Sequence, residues 1–120
     1  MAVSTDYVGR IWGITLYIGT ASAADDLCQY TVPVDCRVVN AQFSAAVCKS
    51  TGGALSLENK TDSTDIVAST ALTAAFTPAE GTLVSTAASR VLTDGEVLSL
   101  NCETTGNMSG VICQVELLGI

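Results

Sequence analysis

Hydrophobic and polar residues alternate with a period of two in several stretches of this chain, most clearly near its C-terminus. In residues 97–102 and 111–117, every second side chain is apolar and those between are mostly polar or small. This period is that of a β-strand with one buried face. Residues 104–110 are rich in turn formers, so the pattern predicts that the two strands form a C-terminal hairpin.

The first third of the chain also has the pattern of strands. A strand over residues 11–18 has one apolar face, formed by Trp12, Ile14, Leu16 and Ile18. A turn at residues 20–26 leads to a second strand over residues 27–32. Pro33 ends the pairing of that strand because proline has no N–H to donate.

A long strand is predicted over residues 34–48, with one irregularity. Two apolar residues adjoin at Val38 and Val39, which breaks the alternation. A bulge there would restore the alternation and turn the strand between two sheets. Residues 50–53 contain Gly52 and Gly53 and predict a hairpin turn into a returning strand over residues 54–59.

The remaining segments complete an all-β pattern. Residues 66–79 show no clean period, so a short strand, a helical turn and an irregular crossing all stay open; short strands are predicted at 82–84 and 90–92. About eight strands at roughly ten-residue spacing predict an antiparallel β-sandwich or jelly roll. We assign residues 11–120 to this single domain and residues 1–10 to an N-terminal arm that needs a partner to become ordered.

The charge content points to assembly with other chains. Only 14% of the 120 residues are charged, against roughly 25% in an average soluble protein. A small domain has much surface for its volume, so low charge suggests that part of this surface is buried in contacts between subunits. The alternative is a monomer whose surface is covered by Ser, Thr and Asn.

The charge balance disfavours nucleic acid and anionic membranes as partners. The net charge is −7, and the cationic residues are scattered singly: Arg10, Arg37, Lys49, Lys60 and Arg90. Binding to phosphates needs clustered cations. The uncharged stretch 11–24 is too short and too polar for a membrane span, and no basic segment precedes it, so we expect no signal peptide and folding in a reducing cytoplasm.

The cysteines predict free thiols rather than a metal site. The chain has five cysteines, no histidine and no C-x-x-C pair, whereas zinc sites need close ligand pairs. We expect buried, reduced thiols, with Cys102 and Cys113 as near neighbours across the predicted terminal hairpin. No metal and no cofactor are expected.

No catalytic set is evident. General bases near neutral pH are most often histidines, which the chain lacks. A glycosidase needs only two carboxylates, and the candidates are Asp25, Asp26, Asp35, Asp94 and Glu96. Turn formation explains all of them more simply, and residues 94–96 lack the spacing of a calcium loop. We therefore expect that the protein is not an enzyme.

The strand and turn pattern over residues 32–120 resembles the small jelly-roll structural proteins of tailed-phage virions, in particular the head decoration or cement proteins. The resemblance lies in the Val32-Pro33-Val34 entry to the long strand, the Gly52-Gly53 turn into Ala54-Leu55-Ser56-Leu57, the segment Asp65-Ile66-Val67, the run from Val91 to Leu100 and a last strand over residues 110–118. The first thirty residues match no pattern of that family.

The resemblance implies a bacteriophage capsid decoration protein on the outer capsid surface of the virion. It would be a trimer that binds the major capsid protein and stabilises the shell by protein–protein interaction. The unpartnered N-terminal arm and the large side chains that follow it fit such a contact, so we expect the capsid- or neighbour-facing residues to be Tyr7, Arg10, Ile11, Trp12 and Tyr17. Deletion of residues 1–10 should then abolish capsid binding without unfolding the domain. The alternative is a tail, head-fibre or adsorption module that binds host-surface glycans through exposed aromatic residues.

Overall fold

The structure is a computed structural model that describes residues 8–20, 24–48, 53–72, 74–104 and 108–120, with only the backbone described at residues 20, 24–27 and 104. Within these ranges the chain forms nine β-strands and one 3₁₀ turn. The strands are β1 (Ile11–Thr20), β2 (Ala24–Thr31), β3 (Cys36–Val47), β4 (Gly53–Asn59), β5 (Thr64–Leu72), β6 (Ala79–Glu80), β7 (Val91–Leu92), β8 (Val97–Thr104) and β9 (Ser109–Gly119); the 3₁₀ turn is Ala87–Arg90.

The strands form two antiparallel sheets, which confirms the predicted all-β sandwich. The five-stranded sheet has the order β1-β9-β3-β6, with β7 also paired to β3, and the four-stranded sheet has the order β2-β8-β4-β5. Apart from the β4–β5 hairpin and the β6–β7 segment, each connection passes from one sheet to the other. This alternation is the jelly-roll arrangement, which buries the apolar face of every strand between the sheets.

Two predicted hairpins are wrong. β3 and β4 lie in different sheets, and so do β8 and β9, so the segments after Val47 and after Thr104 cross between the sheets. Packed sheets lie only about 10 Å apart, a distance that four or five residues can span. Cys102 and Cys113 are accordingly not neighbours on one face of a hairpin.

The irregularity predicted in the long strand is present, but its consequence differs from the prediction. The pairing of β3 with β9 shifts register between Val38 and Asn40, which is a β-bulge. On both sides of the bulge β3 still pairs with β9, so the strand does not turn between the sheets. The bulge instead moves Asn40 onto the outer face of the five-stranded sheet, while Val38 and Ala41 remain buried.

Residues 66–79 contain more strand than the sequence indicated. β5 runs through to Leu72, and β6 follows at Ala79–Glu80. Ile66 and Val67 are adjacent and both fully buried. Register shifts in the β4–β5 pairing account for the burial of two adjacent side chains. Such shifts interrupt the alternation of buried and exposed residues, so the sequence pattern does not show the strand.

The core lies between the two sheets and is almost entirely apolar. Its largest fully buried side chains are Phe43, Leu55, Leu57, Ile66, Leu72, Leu92, Leu98, Leu100, Met108 and Leu117. All five cysteines are free thiols; Cys36, Cys102 and Cys113 are buried, and Cys28 and Cys48 are partly exposed. Among the described residues, no helix has the length and apolar character needed to cross a membrane.

The two lateral sides of the sandwich differ. On one side, the segment around β6 joins the sheets: the Gly81 amide donates to the Ala41 carbonyl at 2.9 Å, and the Val84 amide donates to the Ile66 carbonyl at 2.9 Å. On the opposite side, β1 and β2 are the terminal strands of their sheets. The described part of the chain pairs no further strand with the outer edge of β1.

Candidate binding surface

The candidate surface lies on the outer face of the five-stranded sheet, across the neighbouring strands β1, β9 and β3. On β1, Ile11, Gly13, Thr15 and Tyr17 are exposed, whereas Leu16 and Ile18 are buried. The pairing sets Thr15 opposite Gln114 of β9, and Gln114 opposite Gln42 of β3. These three side chains therefore form one row across the sheet, since directly paired residues share a face.

A second row lies beside the first. Gly13 pairs with Glu116, and Glu116 pairs with Asn40. Together the two rows line a shallow depression of about 380 Å³. We call it the polar depression; its side-chain lining is Thr15, Asn40, Gln42, Gln114 and Glu116. Gly13 lies on its floor, together with Ile14 and Val115, whose side chains pack toward the core.

The depression exists because of two local features. Gly13 has no side chain, and a Cβ built there would meet only the Val115 carbonyl oxygen, at 3.8 Å. The space above Gly13 is therefore open. The β3 bulge brings Asn40 to the same face, where its Nδ2 donates to Oε1 of Glu116 at 3.4 Å. Within the described chain, Thr15, Gln42 and Gln114 form no side-chain hydrogen bond, so their polar groups can bind a ligand.

Large apolar side chains stand beside the depression. Tyr17, which is 58% exposed, lies one row beyond Thr15 opposite Ile112, and Ile11, which is 61% exposed, lies beyond Gly13 opposite Leu118. Phe76 is 78% exposed, and its backbone has a φ of 57°. Its amide donates to the Ala45 carbonyl at 2.8 Å, which places it at the opposite edge of the same sheet.

The five residues predicted as interface residues do not all lie on one surface. Ile11 and Tyr17 share the exposed face of β1, and Arg10 is exposed just before it. Trp12 faces the other way and packs half-buried against the core. Tyr7 lies outside the described residues. The part of the N-terminal arm within them is tied to the last strand: the Gly9 amide donates to the Gly119 carbonyl at 2.8 Å, and the Gly119 amide donates to the Arg10 carbonyl at 2.9 Å.

Sequence reasoning missed the polar depression. Gln42, Gln114 and Glu116 occupy the polar positions of alternating strands, where any solvated face would carry such residues. Only the order of the strands shows that they converge. Gly13, a glycine at an outward position of an apolar strand, was the one signal available in the sequence.

The carboxylates considered for catalysis or calcium binding serve turns. The Asp35 carboxylate accepts a hydrogen bond from the Asp94 amide at 2.8 Å, and Glu96 accepts one from the Thr93 amide at 2.7 Å. The side chains of Asp25 and Asp26 lie outside the described set. No cluster of three or more metal-ligating residues is found in the described ranges.

Glu96 also belongs to a small polar cluster at the ends of β4 and β8. The buried Asn59 amide donates to Asp62 and to Glu96, each at 3.4 Å. The hydrogen bond from the Thr93 amide is the main cause that lowers the pKa of Glu96. A hydrogen bond shared with Glu96, together with burial and the charge of Glu96, raises the pKa of Asp62.

No known family model matches the sequence, and the comparisons with curated proteins and with solved structures give no match either.

Proposed function

We propose that this chain is a non-enzymatic structural protein of a virion, a decoration protein that binds the outer surface of a capsid through β1 and the residues before it. Its partners would be the major capsid protein and further copies of itself in a trimer. The resemblance of the strand and turn pattern over residues 32–120 to decoration proteins supports a capsid as the partner. The geometry of β1 supplies the contact surface.

The observation that carries the proposal is the open edge of β1. An edge strand presents unpaired N–H and C=O groups, and monomeric proteins protect such edges with charged residues, proline or bulges. β1 is ten residues long, Ile11–Thr20, and contains no charged residue and no proline. It pairs with β9 without a register shift. A long, regular and uncharged edge is typical of a strand that pairs with another chain.

The side chains along this edge support the same reading. Ile11 and Tyr17 expose large apolar surfaces at its two ends, and such residues often contribute most of the binding energy of an interface. Each contact of this size would be weak. A symmetric array on a capsid would add them up through avidity.

The first experiment is to measure the mass of the purified protein by light scattering and its cosedimentation with undecorated capsids of the virus that encodes it. We expect a trimer in solution and saturable binding to the capsids. Ile11→Thr, which keeps a strand-compatible side chain, should weaken capsid binding. Phe76→Thr removes an even more exposed apolar side chain from the far edge of the same sheet and serves as the matched control.

The N-terminal arm is tested with a shorter deletion than the sequence suggested. Removal of residues 1–7 leaves the backbone hydrogen bonds of Gly9 and Arg10 to Gly119 intact, so the domain should keep its stability. We expect capsid binding to be lost. Normal decoration by both this deletion and Ile11→Thr would overturn the proposed contact surface.

A second candidate function is a tail, head-fibre or adsorption module that binds host-surface glycans. The observation that favours it is the polar depression beside the exposed ring of Tyr17.

A further inference from the structure

We infer that the polar depression is a binding site for a neutral saccharide. The inference deepens the second candidate function and does not depend on the capsid proposal. The depression opens on the outer face of the sheet, whereas the free edge of β1 points sideways from it. A partner that pairs only with the backbone edge would leave the depression accessible, whereas one that also covers Tyr17 would compete with the ligand.

The side chains of the depression match the hydrogen-bonding character of sugar hydroxyls. Each hydroxyl both donates and accepts, and each carboxamide offers two donors and one acceptor oxygen in a plane. Gln42 and Gln114 are direct cross-strand partners, and Asn40 is adjacent in the second row. Three carboxamides and the Thr15 hydroxyl therefore face one space in which Gln42, Gln114 and Thr15 have no partner in the described chain.

The charge of the depression selects against anionic ligands. Its lining contains one carboxylate, Glu116, and no lysine or arginine. Glu80, which pairs with Gln42 at the edge of the sheet, adds a second negative charge nearby. Arg37 lies on the same face in the row beyond Glu116, opposite Leu118, so negative charge remains in excess. A phosphate, sulfate or sialic acid group would be repelled, whereas a neutral hydroxyl would donate a charge-assisted hydrogen bond to Glu116. The hydrogen bond from Asn40 holds Glu116 in place for this contact.

An aromatic ring stands where a sugar face would pack. Tyr17 lies two residues beyond Thr15 on the same face of β1 and is 58% exposed. The C–H face of a pyranose packs on such a ring, and tyrosine suits a half-wet position because it carries a polar tip. Amides that fix orientation beside an aromatic surface are the usual features of a small-molecule site.

The test uses the full chain labelled with ¹⁵N and titrated with neutral hexasaccharides of glucose, mannose, galactose and N-acetylglucosamine. Weak binding is expected for a shallow site, so each titration extends to about 10 mM, where a millimolar Kd is still measured. We expect at least one sugar to shift the side-chain amide signals of Gln42, Gln114 and Asn40 in a saturable way. Titration with 3′-sialyllactose should give no such shift.

Gly13→Val is the decisive variant. Its Cβ has open space, and valine suits a strand better than glycine, so the fold should be kept or stabilised while the side chain fills the depression. We expect sugar binding to be abolished and the melting temperature to be at least that of the wild type. Gln114→Ala should weaken binding about tenfold. Gln29→Ala, an exposed glutamine on β2 of the other sheet, should leave it unchanged.

Three results would overturn the inference: no tested sugar shifts these amides, Gly13→Val folds and still binds, or Gln29→Ala weakens binding as much as Gln114→Ala. A loss of capsid binding in Ile11→Thr with sugar binding retained would separate the two functions, because Ile11 does not line the depression. Failure of sugar binding would leave the capsid proposal to its own test.

Discussion

Met108 covers Gly53, and its side chain occupies the space where a Cβ would stand if Gly53 carried one. Gly53 begins β4, and Met108 immediately precedes β9. The first residue of β4 and the residue before β9 therefore lie at the same end of the sandwich. Met108 is only 1% exposed there, so it closes that end of the core.

We predict that Gly53→Ala destabilises the fold. The new methyl group would overlap with Met108, whose flexible side chain can partly adjust, so the free energy of unfolding should fall by about 1–2 kcal/mol. Gly19→Ala is the control, because a Cβ there has nothing within 4 Å. Urea denaturation measures both. Met108→Ala in the Gly53→Ala background should recover part of the loss, and equal stability of the two glycine variants would contradict the contact.

The hydrogen bonds of the buried Asn101 on the four-stranded sheet should contribute more to the free energy of unfolding than the exposed hydrogen bond of Asn40 does. The Ser99 hydroxyl donates to Asn101 Oδ1 at 2.9 Å, and Asn101 Nδ2 donates to Glu58 at 3.1 Å. Asn101→Ala would remove both of these hydrogen bonds from a largely buried position and should cost about 1–3 kcal/mol. Asn40→Ala breaks only the exposed bond to Glu116 and should cost no more than about 0.5 kcal/mol. Thermal unfolding of the two variants compares them directly.

Asp62 and Glu96 should make stability depend on pH in opposite senses. The lowered pKa of Glu96 stabilises the fold above its unfolded value, and this contribution is lost as the pH falls. The raised pKa of Asp62 has the reverse sign: its contribution is present below the unfolded value and is lost as the pH rises. At neutral pH the two charged carboxylates therefore repel each other.

Asp62→Asn should raise the melting temperature slightly at pH 7, because an amide donates to Glu96 without adding charge. As the pH falls, the wild-type carboxyl takes up a proton earlier than an ordinary aspartate does, because its pKa is raised, and can then donate in the same way, so the difference should vanish in acid. Asp65→Asn, an exposed aspartate at the start of β5, is the control. An increase that persists at pH 3 would contradict the carboxyl–carboxylate contact.

The partly exposed and the buried thiols should react with a thiol-specific reagent at different rates. Burial raises the pKa of Cys36 and of Cys113 to about 12, with smaller contributions from Asp35 and Cys28 respectively. At pH 8 these thiols are protonated and shielded, so a thiol-specific reagent should modify them only through unfolding. Cys28 and Cys48 are partly exposed and should react first. Replacing both by serine should remove the fast phase; modification of Cys36 in that phase would contradict the prediction.

The same two thiols set an alkaline limit to stability. Their pKa in the folded chain exceeds the ordinary value of 9.0. The stability they contribute is therefore complete below pH 9 and is lost as the pH rises from 9 toward 12, because the unfolded state ionises first. Cys36→Ala together with Cys113→Ala should flatten the decline of the melting temperature between pH 9 and 11, even if it lowers stability at pH 7.

The positions of most strands could be predicted because alternation is a local property. Leu98, Leu100 and Cys102 all face the core as their spacing predicted, and so do Leu16 and Ile18. The strand over residues 64–72 could not be recognised from its pattern. Its pairing with β4 is irregular and buries the adjacent Ile66 and Val67 together, which interrupts the alternation of apolar and polar residues. Local pattern therefore succeeds where pairing is regular and fails where the register shifts.

The sequence by itself determined that this chain is a small all-β protein with alternating faces, an irregularity near Val38 and few charges. Only the tertiary structure decided which sheet each strand joins. A strand buries its apolar face equally well whether it pairs with the preceding strand in a hairpin or joins the opposite sheet. That choice puts Cys102 and Cys113 on opposite sheets and places Gln42 beside Gln114. Residues distant in sequence form a site only through strand order, which local periodicity does not specify.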